Sequence, residues 1–104
     1  MAQPRIPIPR SQLAEFCRRW KVTELALFGS VLRDDFRSDS DVDVLVSFAP
    51  ESGWGLFDFM EMERELGAMF TRKVDLVERQ GLRNPFRRRA ILSSMEVVYG
   101  PAGA

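Results

Sequence analysis

The sequence contains no histidine and only one cysteine, Cys17. Without histidine, these 104 residues cannot form a Ser-His or Cys-His catalytic pair among themselves. A single cysteine excludes an internal disulfide and any metal site built from several thiolates. Any catalytic chemistry in this chain must therefore come from other side chains.

The sequence also lacks a charge excess, because 15 Lys and Arg side chains balance 15 Asp and Glu side chains. Dedicated nucleic-acid-binding proteins usually carry a basic excess, so we do not expect nucleic acid as a direct partner, although neutrality allows a local basic patch. No apolar run reaches the length of a membrane span, and the N-terminal residues show no signal-peptide core. These absences lead us to expect a cytoplasmic protein that does not bind a membrane.

The pattern of apolar residues predicts alternating helices and strands. The predicted helices cover residues 11–20, 31–34, 56–70 and 85–93, and the predicted strands cover residues 24–28, 41–48, 73–77 and 96–99. The prolines within residues 1–9 favour an extended chain, so we predict a flexible segment over 1–10 and one domain over 11–100. The expected fold is a layered α/β sandwich, with a mixed β-sheet and flanking helices.

Two carboxylates, Asp41 and Asp43, begin the predicted strand over residues 41–48. Residues two apart in a strand point to the same face, so the two acids share one face while the valines between them point to the core. Carboxylates held this close repel each other unless a cation lies between them. Mg²⁺ typically takes one or two carboxylates plus substrate phosphates. The pair therefore predicts a magnesium site, with ATP or another nucleotide supplying further oxygens.

The dipeptide Gly29-Ser30 follows the predicted strand over residues 24–28. Glycine permits a sharp turn or a close approach to a ligand, and Ser30 is a suitable N-cap for the short helix over 31–34. Backbone N–H groups at a helix start attract phosphate, and the serine hydroxyl adds a donor. Arg33, one turn later, could also reach a phosphate. A simple turn with a cap, and a solvated Arg33, are the alternative interpretations.

Asp75 is the one acid in the apolar strand over residues 73–77. An isolated carboxylate in such a strand costs stability unless it is paired or coordinated. We expect Asp75 to complete the metal site from a neighbouring strand and to accept a proton from an attacking hydroxyl. As alternatives, Asp75 could be an exposed salt-bridge partner, and Asp41 and Asp43 could be solvated acids at a strand entrance.

Taken together, Gly29-Ser30, Asp41-Val42-Asp43 and Asp75 resemble the nucleotidyltransferase superfamily that includes DNA polymerase β. The short chain resembles its minimal nucleotidyltransferases, the MNT proteins. This resemblance covers residues 25–77 and extends more weakly over 84–92 and 97–99. It implies a nucleotidyltransferase fold in which Gly29 and Ser30 hold the triphosphate. It also implies that Asp41 and Asp43 bind the metal, with Asp75 as the third acid.

MNT proteins often act as antitoxins beside a helical HEPN-domain ribonuclease. The resemblance therefore implies Mg²⁺-dependent transfer of AMP from ATP to a hydroxyl, expected to be a tyrosine, of a cognate HEPN toxin, which silences that toxin. One alternative is a non-catalytic antitoxin that neutralises its partner by binding. Another is a nucleotidyltransferase acting on RNA or a small molecule, against which the short length and neutral charge argue.

Three further expectations concern the helices and one loop. On the helix over residues 56–70, an apolar stripe predicts the inward face; it consists of Leu56, Phe59, Met60, Leu66 and Phe70. The arginines at 87–89 should point in different directions, with Phe86, Ala90 and Ile91 inward, or else contact an acidic partner or RNA. Trp54, in a glycine-flanked loop, is the candidate for an exposed contact with a partner or an adenine.

Overall fold

The structure is a computed structural model, and it describes residues 6–34, 36–37 and 39–100. Three α-helices and four strands appear in the predicted order: α1 (Arg10–Arg19), β1 (Val22–Phe28), β2 (Val42–Phe48), α2 (Leu56–Phe70), β3 (Val74–Glu78), α3 (Pro85–Ser94) and β4 (Glu96–Tyr99). Two 3₁₀ helices, Gly29–Leu32 and Arg79–Gly81, follow β1 and β3. In the part of the chain described, no helix is both long enough and apolar enough to cross a bilayer.

The four strands form one mixed sheet in the order β3-β2-β1-β4. β1 is antiparallel to both β2 and β4, whereas β2 and β3 are parallel. A parallel connection needs a crossover, and α2 provides it. As a result, the end of β1 and the starts of β2 and β3 lie at the same end of the sheet. The fold thus confirms the predicted mixed sheet with flanking helices.

The two faces of the sheet carry separate apolar clusters. α1 and α2 cover one face, where their buried side chains pack against Leu25, Leu27, Val42, Val44 and Val46. On the other face, Ile91 of α3 and Leu82 pack against Ala26, Phe28 and Leu45. Because side chains alternate along a strand, Asp43 near the start of β2 belongs to the α3 face. The predicted separation from the valines is therefore confirmed for Asp43, whereas Asp41 lies one residue before the strand.

The start of α3 follows the sequence prediction. The Asn84 side-chain oxygen accepts hydrogen bonds from the backbone N–H groups of Phe86 and Arg87 at 3.0 and 3.1 Å, and Pro85 occupies the first helical position. These bonds satisfy donors that a helix start leaves unpaired. Within α3, Ile91 is buried as predicted. Phe86, at 84% exposure, and Ala90 instead face outward, so that part of the prediction is wrong.

The buried stripe of α2 differs from the predicted one. Met62, Leu66 and Phe70 are buried, whereas Leu56 and Met60 are 73% and 55% exposed. At about 100° per residue, Met60 lies roughly 120° around the helix from Leu66, which places it on the flank of the stripe. The prediction was wrong for Leu56 and Met60. The predicted stripe was wider than the side of α2 that packs against the sheet, so it included apolar residues that remain exposed.

The loop before α2 is fastened to the end of α1. The Trp54 indole N–H donates a hydrogen bond to the Trp20 carbonyl oxygen at 2.7 Å. The two rings also pack edge to face, with centroids 5.0 Å apart. Trp54 is half-buried by these contacts, so the prediction that it is exposed is wrong, and its contact with a partner or an adenine stays a prediction.

The N-terminal segment is only partly described, because residues 1–5 of the predicted flexible segment over 1–10 lie outside the described ranges. Ile6 is buried against the core of the α1 and α2 face, and Ile8 packs against it. The division of the chain into a flexible segment and a domain over 11–100 stays a prediction.

Candidate active site

The turn after β1 depends on Gly29. Its φ of 76° lies in the left-handed region that favours glycine. Phe28, the residue before it, pairs with Asp43 across the antiparallel ladder. A Cβ placed on Gly29 would collide with the Oδ2 atom of Asp43 at less than any normal contact distance. The predicted sharp turn is confirmed, and the missing side chain lets the carboxylate of Asp43 lie directly against it.

Ser30 lies inside the 3₁₀ helix, although the sequence suggested a capping position. The helix begins at Gly29 and its N-cap residue is Phe28, with no side-chain capping bond. The prediction of a Ser30 N-cap was therefore wrong, because the left-handed turn at Gly29 starts the helix two residues early. The Ser30 carbonyl accepts a hydrogen bond from the Arg33 N–H at 2.9 Å, which closes the turn beside Asp43.

The three predicted acids lie at one end of the sheet. Asp43 and Asp75 are paired positions on the parallel strands β2 and β3, and Asp41 precedes Asp43 by two residues. Asp43 is half-buried, while Asp41 and Asp75 are exposed. Burial raises the pKa of Asp43 above its ordinary value, and the neighbouring charges of Asp75 and Asp41 raise this pKa further. The structure thus brings these carboxylates into electrostatic contact.

The three carboxylates lie near one another, but their side chains do not have a metal-binding arrangement. Across residues 6–34, 36–37 and 39–100, no three acid, cysteine or histidine side chains are close enough to enclose a metal ion as they stand. Within the same ranges, no salt bridge reaches Asp41, Asp43 or Asp75. The exposed side chains of Asp41 and Asp75 can reorient within nanoseconds, whereas Asp43 is held against Gly29.

The chemistry of this donor set fits Mg²⁺. The three side chains offer only carboxylate oxygens, which hard divalent cations prefer. Their mutual repulsion already disfavours the charged form of Asp43, as its raised pKa indicates. A cation bound between them would remove that penalty. Asp41, Asp43 and Asp75 therefore offer a donor set whose chemistry suits such an ion.

Positive charge lies beside the acids. Both Arg33 and Arg87 act to lower the pKa of Asp43, against the effects of burial and the other acids. Arg33 also lines a cavity of about 260 Å³ together with Gly29, Leu32 and Ser94. Larger hollows of about 380 and 480 Å³ lie between α1 and α2 and along the outer side of α3, away from the acids. Cavity size alone therefore does not mark the site.

The sequence interpretation named Arg33 but gave Arg87 and Ser94 no place in the site. A signal for both was present in the sequence, because they share a helix face with Ile91, which was expected to point inward. The position of α3 on the sheet could not be predicted from the sequence. That position brings this helix face next to Gly29 and Asp43.

Polar contacts join the helices to the sheet. On the edge strand β3, the Leu76 N–H donates to the Glu63 carboxylate of α2 at 3.0 Å, next to Asp75. On the α3 face, Arg79 forms a 3.1 Å ion pair with Glu24 of β1, and Arg88 donates to the Arg79 carbonyl at 3.2 Å. These bonds tie α2 and α3 to the sheet. The Leu76 bond lies next to Asp75, whereas the two Arg79 contacts lie at the opposite end of the sheet from the acids, beside the start of β1 and the end of β3.

Comparison with known proteins agrees with this architecture. The family model of the nucleotidyltransferase domain matches residues 10–98. The protein adenylyltransferase MntA of Thermococcus cleftensis is 38% identical over 85 residues, which span 82% of this chain and 81% of the relative.

Solved structures show the same fold. A structure described as a minimal nucleotidyltransferase is 32% identical, with a TM-score of 0.68 over 84% of this chain and 86% of that one. A toxin–antitoxin structure with AMP-PNP gives a TM-score of 0.72 at 19% identity, over 90% of this chain and 75% of that one. The complex of a tri-AMPylated Shewanella oneidensis HEPN toxin with its MNT antitoxin gives 0.65 at 19% identity, over 89% and 71%.

The predicted fold and family are thus confirmed. The family model spans nearly all of the described chain, and the T. cleftensis relative exceeds 30% identity over most of its own length. This chain belongs to the nucleotidyltransferase family, among its minimal members.

Proposed function

We propose that this chain is a Mg²⁺-dependent protein adenylyltransferase that moves AMP from ATP to a tyrosine hydroxyl of a cognate HEPN-domain toxin, and that it thereby acts as the antitoxin. The observation that carries the proposal is the position of Asp43. Its carboxylate lies against the Gly29 turn, with Asp75 beside it in register. The relative named protein adenylyltransferase and the AMPylated HEPN–MNT complex support the choice of reaction and partner.

Gly29, Ser30 and Arg33 are proposed to bind the triphosphate. The left-handed turn at Gly29 lets the Asp43 carboxylate lie against the backbone, so that a phosphate at this turn would be next to that carboxylate. Ser30 contributes a hydroxyl donor at the same turn, and Arg33 adds positive charge at the cavity that Gly29 also lines. Because the guanidinium presents several donors in a fixed plane, it suits phosphate oxygens. The AMP-PNP named for a toxin–antitoxin structure of the same fold supports a nucleotide as the ligand.

The acids are proposed to act as one group. Asp41 and Asp43 would hold Mg²⁺, with Asp75 as the third acid, and the bound metal would act as a Lewis acid that stabilises developing negative charge. Asp43 is the fixed member, because Gly29 and the β2–β3 register define its place. Asp75 is exposed, so the hydroxyl group of an incoming acceptor can reach its carboxylate.

The proposed reaction is a displacement at the α-phosphorus of ATP. The acceptor hydroxyl oxygen forms a bond to that phosphorus, and the bond to the bridging oxygen of the β-phosphate breaks. The hydroxyl proton passes to the Asp75 carboxylate, and pyrophosphate leaves from the turn formed by Gly29 and Ser30. As in other phosphoryl-type transfers, the side chains contribute mainly by positioning and electrostatics.

The experiment is to incubate the chain with ATP, Mg²⁺ and its cognate helical partner, and to measure the partner's intact mass. The proposal expects the partner to gain AMP, located on tyrosine by fragmentation. Asp43→Asn should abolish the gain, whereas Asp39→Asn, at an exposed loop acid, should leave it unchanged. A partner that gains no AMP from the wild type would refute the proposal. If Asp43→Asn still neutralises the toxin fully without transfer, then binding alone is the antitoxin mechanism.

A further inference from the structure

We propose that Arg87 binds the phosphate groups of the nucleotide, so that α3 forms a second wall of the nucleotide site. This inference rests on the proposed function and deepens it. It adds a phosphate-binding residue from an element that the sequence analysis had left outside the site.

The register of α3 places Arg87 on the site side of the helix. At about 100° per residue, Ile91 and Ser94 lie within roughly 40° of Arg87 around the helix axis. Ile91 is buried together with Phe28 and Leu45. Phe28 pairs with Asp43 across the ladder, and Leu45 follows Asp43 on the same face of β2. The side of α3 that carries Arg87 therefore packs on the strand positions around Asp43.

The other end of this helix side reaches the Gly29 turn. Ser94, in the last turn of α3, lines the cavity of about 260 Å³ that Gly29, Leu32 and Arg33 also line. α3 thus runs along the site, with Ser94 at the glycine turn and Arg87 two turns earlier.

The charge of Arg87 acts on the acids without being paired to them. Arg87 belongs to the side of α3 that packs on Phe28 and Leu45 beside Asp43, and its positive charge acts on that carboxylate. Among the described ranges, however, no salt bridge within 4.0 Å includes Arg87, and its side chain is exposed. Its donors are therefore available to a ligand, and a planar guanidinium can bind phosphate through two parallel hydrogen bonds.

The two arginines that follow Arg87 have different surroundings. Arg88 is half-buried and donates to the Arg79 carbonyl, so it ties α3 to the preceding turn. Arg89 is exposed, and it lies about 200° around the helix from Arg87. Arg89 is therefore an exposed arginine on the same helix as Arg87, but on the side that faces away from the acids. It provides a matched control.

The test measures how Arg87→Gln and Arg89→Gln change nucleotide affinity in the full chain. A fluorescent, non-hydrolysable ATP analogue is bound in the presence of Mg²⁺ and then displaced by ATP, AMP or adenosine. We expect Arg87→Gln to raise the Kd of ATP roughly tenfold, which corresponds to about 1.4 kcal/mol. The factor should shrink for AMP and disappear for adenosine. Arg87→Lys, which keeps the charge but not the planar fork, should recover part of the affinity.

Three results would overturn the inference about Arg87 alone: wild-type affinity in Arg87→Gln, an equal loss in Arg89→Gln, or a loss for adenosine as large as that for ATP. The last result would mean that Arg87 supports the shape of the site and does not bind phosphate. If the wild type itself binds no ATP, both this inference and the proposed function fail. Thermal unfolding of each variant verifies that the fold is retained.

Discussion

Replacing Gly29 with alanine should disturb both the fold and the site, because two separate constraints meet at this residue. Its φ of 76° is a left-handed conformation, which costs a residue with a Cβ about 1–2 kcal/mol. For a domain of this size, each kcal/mol corresponds to about 4–8 °C in melting temperature. The backbone term alone therefore predicts that Gly29→Ala lowers the melting temperature by roughly 4–16 °C.

The second constraint concerns Asp43. The new Cβ would collide with the Oδ2 atom of Asp43, so either this carboxylate or the turn must move. Asp43 carries the proposed function, and a displacement near 1 Å in an active site can cost about 10²-fold in rate. We therefore expect transfer of AMP to fall by about 10- to 100-fold at a temperature at which the variant is still folded. A single-turnover assay with labelled ATP measures this rate.

Gly81→Ala is the matched control for this prediction. Gly81 lies in the 3₁₀ helix after β3, and a Cβ placed there meets no heavy atom within 4 Å. Its substitution should change stability by less than about 0.5 kcal/mol and leave transfer intact. The reasoning is refuted if Gly29→Ala has the same melting temperature as Gly81→Ala and transfers AMP at the wild-type rate.

Three further predictions concern stability and reactivity. Folding raises the pKa of Asp43 above 3.8, mainly by burial. At neutral pH the ionised carboxylate therefore destabilises the native state, and this destabilisation disappears below pH 3.8, where Asp43 is protonated in both states. Asp43→Asn should therefore raise the urea midpoint at neutral pH in EDTA, and a gain that stays the same in acid would contradict this. Trp54→Phe removes the hydrogen bond to the Trp20 carbonyl and should lower the free energy of unfolding, measured in urea, by about 1 kcal/mol. Phe57→Leu, at an exposed position, should lower it by less than about 0.5 kcal/mol. Equal losses in the two variants would contradict the stabilising role of this bond. Burial raises the pKa of Cys17 to about 12, so its thiol should react with a disulfide reagent at mildly basic pH only as fast as the protein unfolds, and rapid labelling of the native chain would contradict this.

Local patterns predicted much of the fold. The alternation along β2 separated Asp43 from the buried valines, and the Asn84-Pro85 pair marked the start of α3. Both features depend on neighbours within a few residues. The errors at Ser30 and Met60 arose where the neighbour is distant: the Gly29 turn is fitted to Asp43 on another strand, and burial along α2 is decided by the sheet beneath it.

The arrangement of the acids shows the same limit. The sequence indicated that Asp75 belongs to a strand next to Asp43, but strand pairing and register are not encoded in either strand alone. The structure supplies the parallel register that sets the two residues side by side. The place of Arg87 beside Asp43 likewise depends on how α3 packs across the sheet, which no local pattern contains.

The proposed function depends on the three acids sharing a divalent cation beside a nucleotide. A crystal of the chain grown with Mn²⁺ and a non-hydrolysable ATP analogue tests this most directly, because anomalous scattering locates the metal. We predict a manganese ion bound by carboxylate oxygens of Asp41 and Asp43, with Asp75 facing it and the phosphates at Gly29 and Ser30. A metal held by the phosphates alone, with these carboxylates turned away, or a nucleotide bound elsewhere on the chain, would contradict the proposed mechanism.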